Sequence, residues 1–126
     1  MRAIEELIDW EPGRARCRMV LRAHSVFAQG QKVPTVATLE FLAQSVAACL
    51  GYEAFQGGGS VRVGMIVGVR QIDFFTSYMN VGDELILDVA RLRGTEDAST
   101  FTGEAMIGGE VVARAHMTLV HPLAPP

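Results

Sequence analysis

Residues Thr35 to Phe55 read TVATLEFLAQSVAACLGYEAF, and the interpretation of this stretch decides the fold. Leu39, Leu42, Ala43, Val46, Ala47 and Leu50 recur at helical spacing on one face. The other faces are also poor in charge, carrying Phe41, Ser45, Ala48, Cys49 and Tyr52. A helix that is apolar nearly all round is a buried helix. Gly57, Gly58, Gly59 and Ser60 end it and open a flexible connection.

Outward from the helix the chain reads as strands. Ala3 to Trp10 and Arg14 to Leu21 flank Glu11-Pro12-Gly13, a turn signal. In the second of these, Ala15, Cys17, Met19 and Leu21 alternate with Arg14, Arg16, Arg18 and Val20, which gives one apolar and one largely basic face. A loop from Arg22 to about Pro34 leads into the helix. Beyond it, Val61 to Asp73 alternates through Val61, Val63, Met65, Val67 and Val69. Gly82-Asp83 marks a turn before a strand from Glu84 to Leu92. Ser99 to Ile107 and Val111 to His121 form a hairpin around Gly108-Gly109. One buried helix and about five to six antiparallel strands make an α+β domain, with the helix wrapped by a curved sheet. Residues 1–126 form one such domain, with a frayed tail over residues 122–126.

Composition narrows the function classes. The chain has 126 residues, a net charge of −3 and 49% hydrophobic residues. No cluster of Lys and Arg suits nucleic-acid phosphates, and no apolar run is long enough to span a membrane. The acidic start, MRAIEELIDW, lacks the features of a signal peptide, so the cytoplasm is the expected location. Cys17 and Cys49 fit a strand and a helix and read as plain buried thiols. No histidine or cysteine spacing suits a metal, and no phosphate-binding or dinucleotide fingerprint is present. Neither a metal nor a cofactor is expected.

Glu40 is the residue most suggestive of chemistry. It is the only charged side chain between Lys32 and Glu53, and no Lys or Arg stands at i±3 or i±4. A carboxylate buried alone is costly and is usually kept for function. The plainer reading is an acid favoured by the helix dipole. Gln44, one turn later on the same face, would orient that carboxylate, hold a substrate carbonyl, or serve as a buried amide bonded to backbone. His24 sits just before the loop into the helix, close enough to reach the helix start in its own subunit or a partner. His116 and His121 lie on the last strand. Gly64 and Gly68 interrupt an alternating strand, as glycines do where a backbone or ligand comes close.

The run Val33-Pro34-Thr35-Val36-Ala37-Thr38-Leu39-Glu40-Phe41-Leu42-Ala43-Gln44-Ser45 resembles the helix motif of hotdog-fold 3-hydroxyacyl-[acyl-carrier-protein] dehydratases, roughly x-P-G-V-x-x-x-E-x-x-A-Q. Val67-Gly68-Val69, Gln71-Ile72-Asp73 and Val81-Gly82-Asp83-Glu84-Leu85 resemble that family's sheet segments, and the likeness runs from Ala3 to about His121. The nearest subgroup is the dehydratase-like set of aryl polyene lipid synthesis. The resemblance implies a homodimer, or a larger assembly of dimers, with active-site tunnels at the interface. A histidine of one subunit and a helix acid of the other would act on an acyl carrier protein or coenzyme A thioester. Glu40 would be the acid, and backbone N–H groups near Gly68, with Val67 and Val69 beside it, would bind the thioester carbonyl. The family's G-H-F-P is missing: Phe27-Ala28-Gln29-Gly30-Gln31 stands there, with Gln31 in the histidine's place and His24 the nearest substitute. The chain opens at the first strand without the segment usual before it, which leaves room for an upstream start.

Three functions therefore remain open at this point: a 3-hydroxyacyl thioester dehydratase, an acyl thioesterase of the same fold built on Glu40 and Gln44, and a non-catalytic acyl-binding relative.

Overall fold

The computed structural model describes residues 4–23, 27–56, 65–95 and 98–120; the side chains of Met65, Ile66 and Val67 fall outside that description. β1 (Glu6–Glu11) and β2 (Arg14–Val20) form a hairpin that turns at Gly13, whose φ of 78° suits glycine alone. On β2 the alternation holds. Ala15, Cys17 and Met19 are buried, as is Leu21 beyond it, and the arginines point the other way.

β3 (Lys32–Pro34) leads into one turn of 3₁₀ helix at Thr35–Ala37 and then into α1 (Thr38–Gln56). Two buried hydroxyls are satisfied within the helix. Thr38 Oγ1 donates to Thr35 O at 2.7 Å, and Ser45 Oγ donates to Phe41 O at 2.9 Å. β4 (Met65–Phe74), β5 (Tyr78–Asn80), β6 (Glu84–Gly94), β7 (Ala98–Ile107) and β8 (Glu110–Val120) follow. Six strands form one antiparallel sheet in the order β1-β2-β6-β7-β8-β4, and β3 pairs with β5 in a separate two-stranded ribbon. The turn expected at Gly108-Gly109 is present, with both φ values positive.

The helix packs across β6, β2 and β7. Phe41, Leu42, Val46 and Cys49 meet a floor of Leu85, Leu87, Val89, Phe101 and Met117, all essentially buried. A tight contact lies at Gly103 on β7. A Cβ there would lie 3.0 Å from Leu42 Cδ2 and 3.3 Å from Met117 Cε. The other end of the helix is held by a half-buried ion pair. The Glu53 carboxylate accepts from Arg91 of β6 and from the Gly13 N–H at 3.1 Å. Trp10 Nε1 donates to Cys49 O at 3.2 Å beside it.

The outer face of the sheet neutralises its own charges. Arg16 meets Asp88 at 2.7 Å and Arg114 meets Glu104 at 2.7 Å. The strand registers set Asp88 opposite Glu104 and Arg114 opposite Asp73, so one row crosses the sheet with an arginine flanking each acid. The basic face of β2 is thus ion-paired.

One expectation needs correction. The helix reads as buried on all sides, yet within this chain the sheet covers only part of it. Val36, Glu40 and Ala47 are exposed along one side, and Leu39, Ala43 and Leu50 are only half-buried.

Because Leu42 rests directly on Gly103, a side chain there must displace the helix. Gly103→Val is expected to cost about 1–3 kcal/mol, the usual penalty of overpacking, as a lowered midpoint in urea unfolding. An unchanged midpoint would show that the helix is not seated on this glycine.

Candidate active site

Glu40 stands in the first turn of α1. It is exposed, not buried, and this reverses the sequence expectation. The reason is rotational: Leu42 follows two residues later, about 200° round the helix, so seating Leu42 on the sheet turns Glu40 to the open side. No ion pair engages Glu40 among the described residues. Gln44 does reach it: Gln44 Nε2 donates to Glu40 Oε1 at 3.3 Å. Gln44 Oε1 in turn accepts the Ile4 N–H at 3.4 Å. Gln44 is therefore both an amide bonded to backbone and a group that touches the carboxylate.

The other expected residues are placed less closely. His24 and His121 lie outside the described residues, as does Gly64. His116 is on β8, opposite Thr102 and Gln71. It alternates with the buried Ala115 and Met117, so it points to the sheet face away from α1. Gly68 sits on the edge strand β4 between two bulges. A Cβ on it would meet no described atom within 4 Å, so no close approach among the described residues explains the glycine. The Val67 side chain is outside the description, and Val69 is exposed.

A cleft that the sequence did not suggest opens beside the start of the helix. It has a volume of about 530 Å³ and is lined by Pro34, Thr35, Val36 and the stretch from Phe74 to Tyr78. Phe74, Phe75 and Tyr78 are unusually exposed for aromatic residues. Thr35 is almost fully buried, and its Oγ1 has no hydrogen-bond partner among the described residues. The one available signal was a Phe-Phe pair where a strand should end.

The family model of the ApeP-like proteins, described as ApeP dehydratase, matches residues 1–125. The chain belongs to the ApeP-like dehydratase family. Its fold is the hotdog fold. The dehydratase heterocomplex ApeI:P from Xenorhabdus doucetiae superposes with a TM-score of 0.87 at 20% identity, covering 97% of this chain and 84% of that one. The PaaI protein of the Escherichia coli phenylacetic acid degradation operon gives 0.76 at 14% identity, covering 94% and 80%. A hypothetical thioesterase of Streptococcus pneumoniae, solved with coenzyme A, gives 0.72 at 12% identity, covering 93% and 84%. No curated protein matches this ApeP-like chain in sequence.

The two thiols of this ApeP-like dehydratase are unsuited to nucleophilic chemistry. Both are free and buried. Burial, with the nearby Glu53 carboxylate second, pushes the Cys49 thiol up to about 11. Burial likewise raises Cys17. The thiolate is the reactive form, so at pH 8 neither cysteine should react with a disulfide reagent in the native state, and both should react at once in denaturant. Rapid labelling of folded protein would contradict this.

Proposed function

We propose that this chain removes water from a 3-hydroxyacyl thioester carried by acyl carrier protein or coenzyme A. The reading is carried by membership of the ApeP-like dehydratase family, together with a helix carboxylate on the open side of α1 that Gln44 holds. A base takes the proton alpha to the thioester carbonyl. The electron pair forms the new double bond, the C–O bond to the 3-hydroxyl breaks, and Glu40 in its protonated form delivers a proton to the departing oxygen. Backbone N–H groups at the bulged stretch around Gly68, beside Val67 and Val69, hold the carbonyl oxygen as negative charge develops there. The site is completed by a second subunit meeting the β4 edge and the open side of α1. Val36 on the open side and Val69 and Phe74 on β4 are exposed, β4 is an edge strand, and among the described residues Gly68 leaves room for a neighbour. Carrier thioesters of this kind are cytoplasmic substrates, and no helix among the described residues is long and apolar enough to cross a membrane.

The base is a histidine, and two sources compete. In a homodimer it is His24 of the neighbouring copy. The likeness to a heterocomplex and the missing G-H-F-P favour a second reading, in which a different hotdog subunit brings the histidine.

The test is an assay of the purified chain with a 3-hydroxyacyl carrier thioester and a saturated one. Water loss from the first supports the proposal. Thiol release from either moves the chain to the thioesterases that share its fold. Glu40→Gln is expected to lower water loss by roughly 10²-fold or more, with stability changed by at most about 1 kcal/mol. Full turnover in that variant removes Glu40 from the mechanism. His24→Ala separates the two sources. A loss of roughly 10²-fold in the purified chain assigns the base to His24, whereas water loss that appears only when a second, histidine-bearing hotdog subunit is added, and that His24→Ala leaves unaffected, assigns it to that subunit.

A further inference from the structure

We infer that the backbone N–H of Ile4 is a positioning group for Glu40, acting through Gln44 and deciding which Glu40 oxygen exchanges the proton. The inference rests on the reading of Glu40 as the acid. A glutamine amide can turn either its oxygen or its nitrogen toward a neighbour, and its own rotamer barely distinguishes the two. The Ile4 N–H can only donate, so the atom it meets must be Gln44 Oε1. Gln44 Nε2 is then the atom that faces Glu40, and it engages Oε1 of that carboxyl. With Oε1 occupied as an acceptor, the transferable proton resides on Oε2, which is left for the substrate.

Ile4 is a fixed donor rather than one that follows Gln44. Its side chain is in the core, 7% exposed. The next residue is held from several sides. The Glu5 N–H donates to Arg18 O at 3.0 Å, and the Glu5 carboxylate accepts the Val20 N–H at 3.2 Å and the Arg22 guanidinium. The Arg22 bond is also the main reason the Glu5 carboxyl lies below its ordinary range. The segment before β1 is thus pinned to β2, and it presents one N–H to the helix at a set height.

The N–H can be removed without touching the side chain. A synthetic peptide of residues 1–16 with an ester in place of the Ile4 amide, joined at Cys17 to the recombinant remainder, gives the full chain with that N–H replaced by an ester oxygen. Ile4→Ala is the complementary control, losing packing and keeping the N–H. The side-chain amide resonances of Gln44 are identified as the pair missing in Gln44→Leu. They are expected to shift in the ester variant and in Glu40→Ala, and to stay in place in Ile4→Ala. Turnover in the ester variant should fall roughly three- to ten-fold, the scale of one hydrogen bond, with KM unchanged. In a Gln44→Leu background the ester should have no further effect, because the two changes break one chain of bonds. Unmoved Gln44 resonances in the ester variant, unchanged turnover, or an equal loss in Ile4→Ala each overturn the inference. Wild-type protein that releases no water, alone or together with a second, histidine-bearing hotdog subunit, sinks the dehydratase reading itself, a result distinct from active protein whose ester variant is equally active. Ile4→Pro removes the same N–H genetically and gives the same resonance and turnover tests if the ligated chain does not refold.

Discussion

The rotation of α1 rests first on one contact, the seating of Leu42 on the backbone of Gly103. A helix with almost no charge has no amphipathic preference strong enough to choose its own rotation. The sheet chooses for it, because at Gly103 alone among the buried β7 positions is there no side chain to hold the helix off. Leu42 enters that space, and Phe41, Ser45, Val46 and Cys49 come down with it. The 3.6-residue period does the rest: Glu40 is turned outward, and Ala47 with it.

The far end of the helix fixes the same rotation independently. Glu53 is the second acid on α1, and its partners are Arg91 and the Gly13 N–H. That pair is only partly buried, so the solvent takes some of its value. Its contribution lies in geometry. It ties the turn between β1 and β2 to the helix end, and hence holds β1 and the segment before it, where Ile4 meets Gln44, in register with the first turns of the helix. Two acids on one helix therefore do opposite things. One is spent on architecture, and the other is left with a neutral amide as its neighbour.

Local patterns in the sequence foretold most of the sheet. The alternation of β2, the Gly108-Gly109 hairpin and the Gly82 turn depend on periods and dihedral preferences that a chain displays residue by residue. The resemblance at E-x-x-A-Q pointed to the family that the match over residues 1–125 shows. The short β3–β5 ribbon was illegible, since three residues carry no period. The exposure of Glu40 was also illegible, because a helix apolar all round looks the same whether its own chain or another covers it. Gly103 was hidden for a different reason. A glycine in a strand reads equally as weakness, bulge or close approach, and it was Gly68 that drew attention. The strand register and helix position separate these cases: Gly103 meets Leu42, and Gly68 meets open space. The Ile4 contact spans 40 residues and has no local signature.

The same geometry is compatible with more than one reaction of a thioester. The sheet and the seated helix supply a carboxyl at a set rotation, an amide that orients it, and an apolar flank. None of these selects a reaction. A carboxyl beside a second proton-transfer group can remove water from a 3-hydroxyacyl chain, because the alpha proton and the hydroxyl need two separate groups. A carboxyl without that second group can still direct water onto a thioester carbonyl. On the proposed mechanism the deciding group is thus the second proton-transfer group, which neither Glu40 nor Gln44 supplies. There it comes from His24, before β3, or from another subunit. On that mechanism the choice of chemistry is made by the second group, and the buried core serves both outcomes.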